Sequence, residues 1–336
     1  SLLLEPQRTN LMAQSEAFDT SDWVTTNTNV TTNATTSPAG LQDADKLEFT
    51  ATNSEISEQF TNVASSMHIG TMFLKNNDIN KVELELIGGT PNLAAEVTVD
   101  LRDGTLTLPT GDYTPTIEDY GNGWWRVAIG DTSNASVASP AFKIKSVGTN
   151  FGSFYAYGVQ MEAGSYATSY IPTYGTAATR VADAANKTGI SSLINSPEGV
   201  LYLELSTLTN SGGYRSIGLN SGSATNRLLL TYTSTTNQLN YLLQVAGVTE
   251  VNITHTLTSS TSTNKIAAKW KAGDFALWVN GVEVSTATGS SYSASTLTTF
   301  SFDNANGVDL FQGNLNQTLL FPTALTDTEL ATLTTL

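Results

Sequence analysis

One pattern constrains this chain more than any other. Short runs of residues alternate apolar with polar, and each run is closed by a turn signal. "DKLEFTA" (45–51) sends Leu47 and Phe49 to one side and Lys46, Glu48 and Thr50 to the other. Side chains alternate across a strand with a period of two, so such a run predicts a strand with one buried face. "HIGTMFLKN" (68–76), "KVELELIGG" (81–89), "AEVTVDLRDG" (95–104), "WWRVAIGD" (124–131), "AFKIKSVG" (141–148) and "SFYAYGVQME" (153–162) read the same way. Gly88-Gly89, Asp103-Gly104 and Gly121-Asn122-Gly123 supply turns between them. Many short strands at this spacing predict a β-sandwich or jelly roll.

The rhythm returns after residue 190 in "GVLYLELSTL" (199–208), "YRSIGLN" (214–220), "NRLLLTYTS" (226–234) and "NQLNYLLQVAG" (237–247). "NKIAAKWKAGDFALWVNGVEVS" (264–285) predicts a hairpin turning at Ala272-Gly273-Asp274, with a second tight turn at Asn280-Gly281. "FQGNLNQTLLFP" (311–322) predicts a last strand. The tail "TALTDTELATLTTL" predicts a short helix with Thr326 or Asp327 as N-cap and Glu329 in its first turn. The segment "TAATRVADAANK" (176–187) has no periodic apolar face and predicts a connector. The expectation is an all-β chain of two tandem sandwich or jelly-roll domains joined by a short Ala-rich connector, with a C-terminal helix. Its parts are an N-terminal connector (1–9), a first sandwich (10–175), a linker (176–190) and a second jelly roll (191–336).

Composition narrows the function. The 336 residues carry a net charge of −15, which repels a phosphate backbone and argues against nucleic acid as a partner. With no cysteine there is no disulfide, zinc–thiolate site or thiol nucleophile. No run of 18 apolar residues predicts a helix inserted in a membrane.

Five segments of the first half, in order, carry a resemblance: "LLLEPQRTNLMAQSEAFDTSDWV" (2–24), "DADKLEFTAT" (43–52), "VDLRDGTL" (99–106), "IEDYGNGWWRVAI" (117–129) and "YGVQMEAGSYATSYIPTYGTAATRVADA" (157–184). They resemble the carbohydrate-binding-module-like sandwich of bacteriophage tail-fibre and tail-associated proteins. The hairpin at 264–284 and the closing run 311–335 are similar to a concanavalin A-like, laminin-G-like jelly roll. The resemblance implies a non-enzymatic structural and adhesion protein, extracellular on a virion appendage. Its partners would be other virion proteins, host surface glycans and copies of itself, usually as a trimer. It also implies that the opening "LLLEPQRTN" follows further upstream sequence, so that the chain is a segment of a longer virion protein. A phage polysaccharide depolymerase or lyase, and a ligand-free decoration protein, are the alternatives.

Candidate chemistry is sparse. Retaining glycosidases need two carboxylates about 5–5.5 Å apart, and Glu83/Glu85 on one face of a strand are the best pair. The competing reading is the solvated face of an amphipathic strand, opposite Val82, Leu84 and Leu86. His68 and His255 fall in different halves, without triad or metal spacing. Sugars stack on aromatic rings; Tyr120, Trp125 and Arg126, with Trp278 and Asn280, are the candidate carbohydrate contacts. The family pattern makes Trp124 the core residue, whereas strict alternation pairs Trp124 with Arg126 and Trp125 with Val127; a bulge after Gly123 would reconcile the two. No cofactor is expected beyond a possible structural calcium, on Asp43 and Asp45 or on Asp303, Asn304 and Asp309.

The stretch "YGVQMEAGSYATSYIPTYG" (157–175) looks like a tyrosine-rich site, but its position makes it a seam. Its first part completes a strand, and Pro172 imposes an extended exit. Trp23, Trp124, Tyr166, Tyr170, Ile171 and Pro172 are expected to be structural anchors.

Overall fold

The computed structural model describes residues 1–89, 93–133, 137–210 and 212–336. Its strands run in chain order as follows. The first fifteen are β1 (Leu2–Leu4), β2 (Arg8–Asn10), β3 (Trp23–Thr26), β4 (Thr28–Thr35), β5 (Ala44–Phe49), β6 (Glu55–Gln59), β7 (Met67–Asn76), β8 (Lys81–Gly88), β9 (Leu93–Asp100), β10 (Thr105–Thr107), β11 (Thr116–Asp119), β12 (Trp124–Thr132), β13 (Ala141–Ser146), β14 (Gly152–Ala163) and β15 (Ala178–Arg180). Eleven more follow: β16 (Asn186–Lys187), β17 (Glu198–Thr207), β18 (Arg215–Asn220), β19 (Arg227–Tyr232), β20 (Gln238–Val245), β21 (Val248–Thr256), β22 (Asn264–Lys271), β23 (Phe275–Val279), β24 (Val282–Ala287), β25 (Thr299–Ser301) and β26 (Gly313–Phe321). A single helix, α1 (Asp327–Thr334), closes the described chain. The all-β expectation is met.

The chain divides into two compact units, Arg8–Arg180 and Ser1–Gln7 with Val181–Leu336. In Arg8–Arg180 two six-stranded sheets, β10-β9-β8-β13-β6-β3 and β11-β12-β7-β14-β5-β4, share one core. The alternation read from the sequence builds it: Val82, Leu84 and Leu86 of β8 are fully buried, as are Ile56, Ile144 and Phe142 on neighbouring strands. Each such side chain contributes roughly 2 kcal/mol of transfer free energy. The opposite face of β8 carries Glu83 and Glu85, paired with Lys145 at 2.7 and 3.6 Å.

The other unit is a sandwich of β1-β26-β17-β22-β23-β24 over β16-β25-β18-β19-β20-β21. Residues 1–9, expected as a connector, are divided. Leu2–Leu4 pair with β26, and Leu4 is buried in the core of the C-terminal unit. Arg8–Asn10 instead pair with Ala178–Arg180 in the N-terminal unit. Residues 176–190, expected as a linker, therefore contain two short paired strands. β4 lies outside the expected strands, because "TNVTTNAT" is a polar edge without alternation.

Candidate functional site

The motif in 157–175 is spent on internal fastening. β14 bulges between Tyr157 and Gln160, where Gly158 has φ +62 and a side chain would press against Phe73 and Tyr170. After the strand, the chain folds back over it. Gln160 Oε1 accepts Ile171 N–H at 2.6 Å, and Glu162 accepts the backbone N–H and hydroxyl of Thr168. Asn10 saturates the core of this seam. It donates to Ser15 Oγ, Val159 O and Ile171 O, and accepts from Met12 N and Met161 N. Tyr157 and Tyr170 hydroxyls donate to Glu16 at 3.0 and 2.9 Å. Burial, with the Glu16 charge adding to it, pushes both phenols up. Arg8 lies over the Tyr166 ring at 5.1 Å, Ile171 is buried, and Pro172 is exposed.

The tryptophan pair obeys strict alternation. β12 pairs with β7 without a register shift from Trp124 to Thr132, so no bulge follows Gly123. Trp124 therefore leaves the main core and is buried on the other face with Phe73, Ala44 and Tyr157, its indole N–H donating to Thr36 O at 3.1 Å. Trp125 points to the core side, under the β9–β10 turn. Its indole donates to Leu101 O at 3.0 Å, and a side chain at Gly104 would collide with its ring. Trp125 is half-buried in this position. Arg126 donates to Thr168 O at 2.6 Å and lies over Phe73. Tyr120 alone of this group is openly exposed, edge-on to Phe73 at 4.9 Å. Trp23 is buried against Phe18 and donates to Gln14 O.

Trp278 does face outward from its sheet, as alternation predicts, but it is not a platform. α1 lays Leu330 across that face, and Trp278 is 7% exposed beside Val200 and Tyr202. Asn280 sits at φ 49 in the turn, accepts Lys265 N–H and donates to Asn264. Its polar atoms hold the hairpin together.

Of the calcium candidates, Asp43 has a buried Oδ1 with no hydrogen-bond partner among the described residues. Asp45 gives its two oxygens to Phe18 N–H and Asn33 N–H. Asp303 accepts Ala305 N–H and the Ser301 hydroxyl, while Asn304 donates to Asp309. Among the described residues no three His, Asp or Glu side chains converge on a metal position. His68 is equally committed: Nε2 accepts Val63 N–H, which puts the ring proton on Nδ1 facing Ser66 O. Burial pulls its pKa down.

A different surface brings apolar and uncharged polar side chains together in one groove. In β18 to β21 alternation sends Ile217, Leu219, Leu228, Leu230, Leu239, Tyr241, Leu243, Val251 and Ile253 inward. The outer face then reads Ser216; Leu229 and Thr231; Asn240 and Leu242; Asn252 and Thr254. Register makes these cross-strand neighbours, with Thr231 opposite Asn240, Asn240 opposite Thr254, and Leu229 opposite Leu242. The result is a groove of about 330 Å³ with an aliphatic floor and amide and hydroxyl walls. Arg227 holds one end, donating to Asn304 O and Gln244 Oε1 at 2.8 Å each. Tyr214, 53% exposed, stands at the rim. The sequence predicted β18, β19 and β20 but neither β21 nor the face the four share. The available signal was Asn and Thr recurring at alternate positions in three successive strands.

Comparison with known proteins places little beside this chain. No family model matches the sequence. No curated protein matches it either. Among solved structures, the CBM40 of the Ruminococcus gnavus IT-sialidase aligns over 46% of this chain and 97% of its own, at 14% identity and TM-score 0.36. Domains LG4-5 of the mouse laminin α1 chain align over 82% and 92%, at 11% identity and TM-score 0.27. A pentraxin from Limulus polyphemus aligns over 41% and 69%, at 16% identity and TM-score 0.31. At these scores the likenesses carry no argument; the tandem-sandwich description rests on the strand topology.

Proposed function

We propose that the protein is a non-enzymatic adhesion protein of a bacteriophage tail fibre or other virion appendage, and that its C-terminal sandwich contacts glycans of the host surface. The groove over Leu229 and Leu242 carries this reading. Amides and hydroxyls around an apolar floor, with Arg227 and Asp309 also lining the groove, suit sugar hydroxyls and C–H faces, and the volume falls in the range of small-ligand sites. The motifs of residues 2–184 support the virion context. Glu83 and Glu85 are engaged by Lys145 in ion pairs on the outer face of β8. A groove this open binds weakly alone, and trimerisation with many fibres per particle multiplies that affinity through effective concentration.

Immobilised bacterial polysaccharides are the test, with turnover assayed in parallel. Binding is expected without release of reducing ends or unsaturated uronates. Tyr214→Ala and Asn252→Ala should each weaken binding at least tenfold, about 1.4 kcal/mol, with the unfolding midpoint unchanged. Product release would replace adhesion by a depolymerase. Failure to bind any polysaccharide, together with copurification with virions, would leave a purely architectural role.

A further inference from the structure

With 30 acidic residues to 15 basic ones, a lysine in this chain has carboxylates to choose from. Lys81, Lys143, Lys145, Lys269 and Lys271 each pair with one. Lys46 and Lys75 do not: among the described residues neither ammonium has an ion pair or a hydrogen bond. The sheet register sets these two on one line. Lys46 of β5 stands opposite Tyr155 of β14, Tyr155 opposite Lys75 of β7, and Lys75 opposite Trp124 of β12. Directly opposed side chains of neighbouring strands share a face. That face is the outer one, where Ala44, Phe73, Trp124 and Tyr157 form a cluster of their own and Tyr155 packs against it. With strands about 4.8 Å apart, the two lysine backbones lie about 10 Å from each other with Tyr155 between them.

Three donors therefore share a row that offers them no acceptor. The Tyr155 ring is half-buried against the cluster, while its hydroxyl is without a hydrogen-bond partner among the described residues. Lys75 holds its ammonium 5.9 Å from the centre of the Trp124 ring, and its stem runs past the turn, where a Cβ on Gly123 would meet Cε at 3.6 Å. Glu48, two residues beyond Lys46 on the same face, takes a hydrogen bond from Asn29 at 3.1 Å instead. We propose that Lys46, Tyr155 and Lys75 bind the anionic group, a carboxylate or a phosphate, of an acidic saccharide. Two ammonium groups and a phenol supply charge-assisted hydrogen bonds to that group. Tyr155, and Tyr120 edge-on to Phe73 of the same cluster, offer flat apolar surface to the sugar ring. The net charge of −15 repels a long polyanion beyond this row, so the ligand carries its charges singly. The site lies in the 8–180 unit and is independent of the groove over Leu229 and Leu242.

The probes are a galacturonate trimer, the same trimer with its carboxylates reduced to alcohols, and galactose 6-phosphate, each added to the intact protein. Acetylation of lysines by an activated acetate ester, read by mass spectrometry, reports occupancy. The galacturonate trimer or the sugar phosphate should slow modification of Lys46 and Lys75 at least fivefold, and whichever protects identifies the anion. Lys187, which also lacks an ion pair but lies in the other unit, should react at an unchanged rate. The reduced trimer should give no protection. Lys46→Gln, Lys75→Gln and Tyr155→Phe should each weaken binding of the protecting sugar at least fivefold with the unfolding midpoint unchanged, and Tyr214→Ala should leave it intact. No protection by either acidic sugar, equal protection by the reduced trimer, or variants that bind as wild type would overturn the proposal. Protection that rises with protein concentration alone also overturns it and assigns the row to the acidic surface of a second copy.

Discussion

Asn10 is fully buried and makes five hydrogen bonds that tie the first strand of its unit, the end of β14 and the returning segment together. Asn10→Ala leaves backbone groups at Met12, Val159, Met161 and Ile171 without that partner, and should cost roughly 3–5 kcal/mol. In urea unfolding the loss should fall on the transition of the 8–180 unit alone. Glu58 makes a pH-dependent contribution. Its Oε1 accepts Ala13 N–H and Gln14 N–H, and Oε2 is buried without a partner. Burial outweighs those two bonds and, with repulsion from Asp22, pushes its carboxyl from 4.5 up to about 7. The folded state thus holds this proton to higher pH than the unfolded chain does. The stability it contributes is complete below about 4.5 and is lost as pH rises through about 7, at most about 3 kcal/mol. The stability difference between wild type and Glu58→Gln should fall across that window and level off above it; a difference flat with pH would sink the assignment. None of this was legible beforehand. Asn10 and Glu58 look like ordinary polar residues until the chain returns from 150 and 45 positions away.

At the scale of elements, α1 turns an outward tryptophan into a covered one. Thr326 and Glu329 form a reciprocal capping box, which stops the helix from fraying at its start. Leu330 and Thr334 are then set against the β22–β23 face. Lys269, itself buried, pairs with Asp274 at 2.7 Å and Asp327 at 3.6 Å, pinning the helix origin. Removing 327–336 should red-shift the emission of Trp278 and open it to iodide, leaving the other four tryptophans unchanged. Leu330→Ala should cost about 2–4 kcal/mol. The helix, its cap and the hairpin beneath it were each readable from local signals. Their meeting was not, because alternation says which face a residue takes and nothing about what later covers that face. Trp125 shows the same gap, half-buried under the turn that follows β9.

For the whole molecule, the division of the chain has an unexpected consequence at its start. Ser1–Gln7 belong with Val181–Leu336, through the β1–β26 pairing, the burial of Leu4 and the reciprocal contacts of Glu5 with Asp183. Deleting residues 1–7 should therefore destabilise the C-terminal unit by about 2–4 kcal/mol and leave the adjoining N-terminal unit unchanged. Differential scanning calorimetry with each transition assigned would check this, and a loss in the N-terminal transition would refute it. The strongly alternating strands, their turns and the capped helix follow from residues a few positions apart, where period-two patterning, turn chemistry and capping act; β4 and β21, and the short strands of 1–9 and 176–190, do not. The ownership of the first seven residues, the residues that bury Trp124 on its face, and the line of Thr231, Asn240 and Thr254 across three strands were decided only on folding. Each depends on which distant segments become neighbours, and backbone pairing between strands leaves no mark in the local order of side chains.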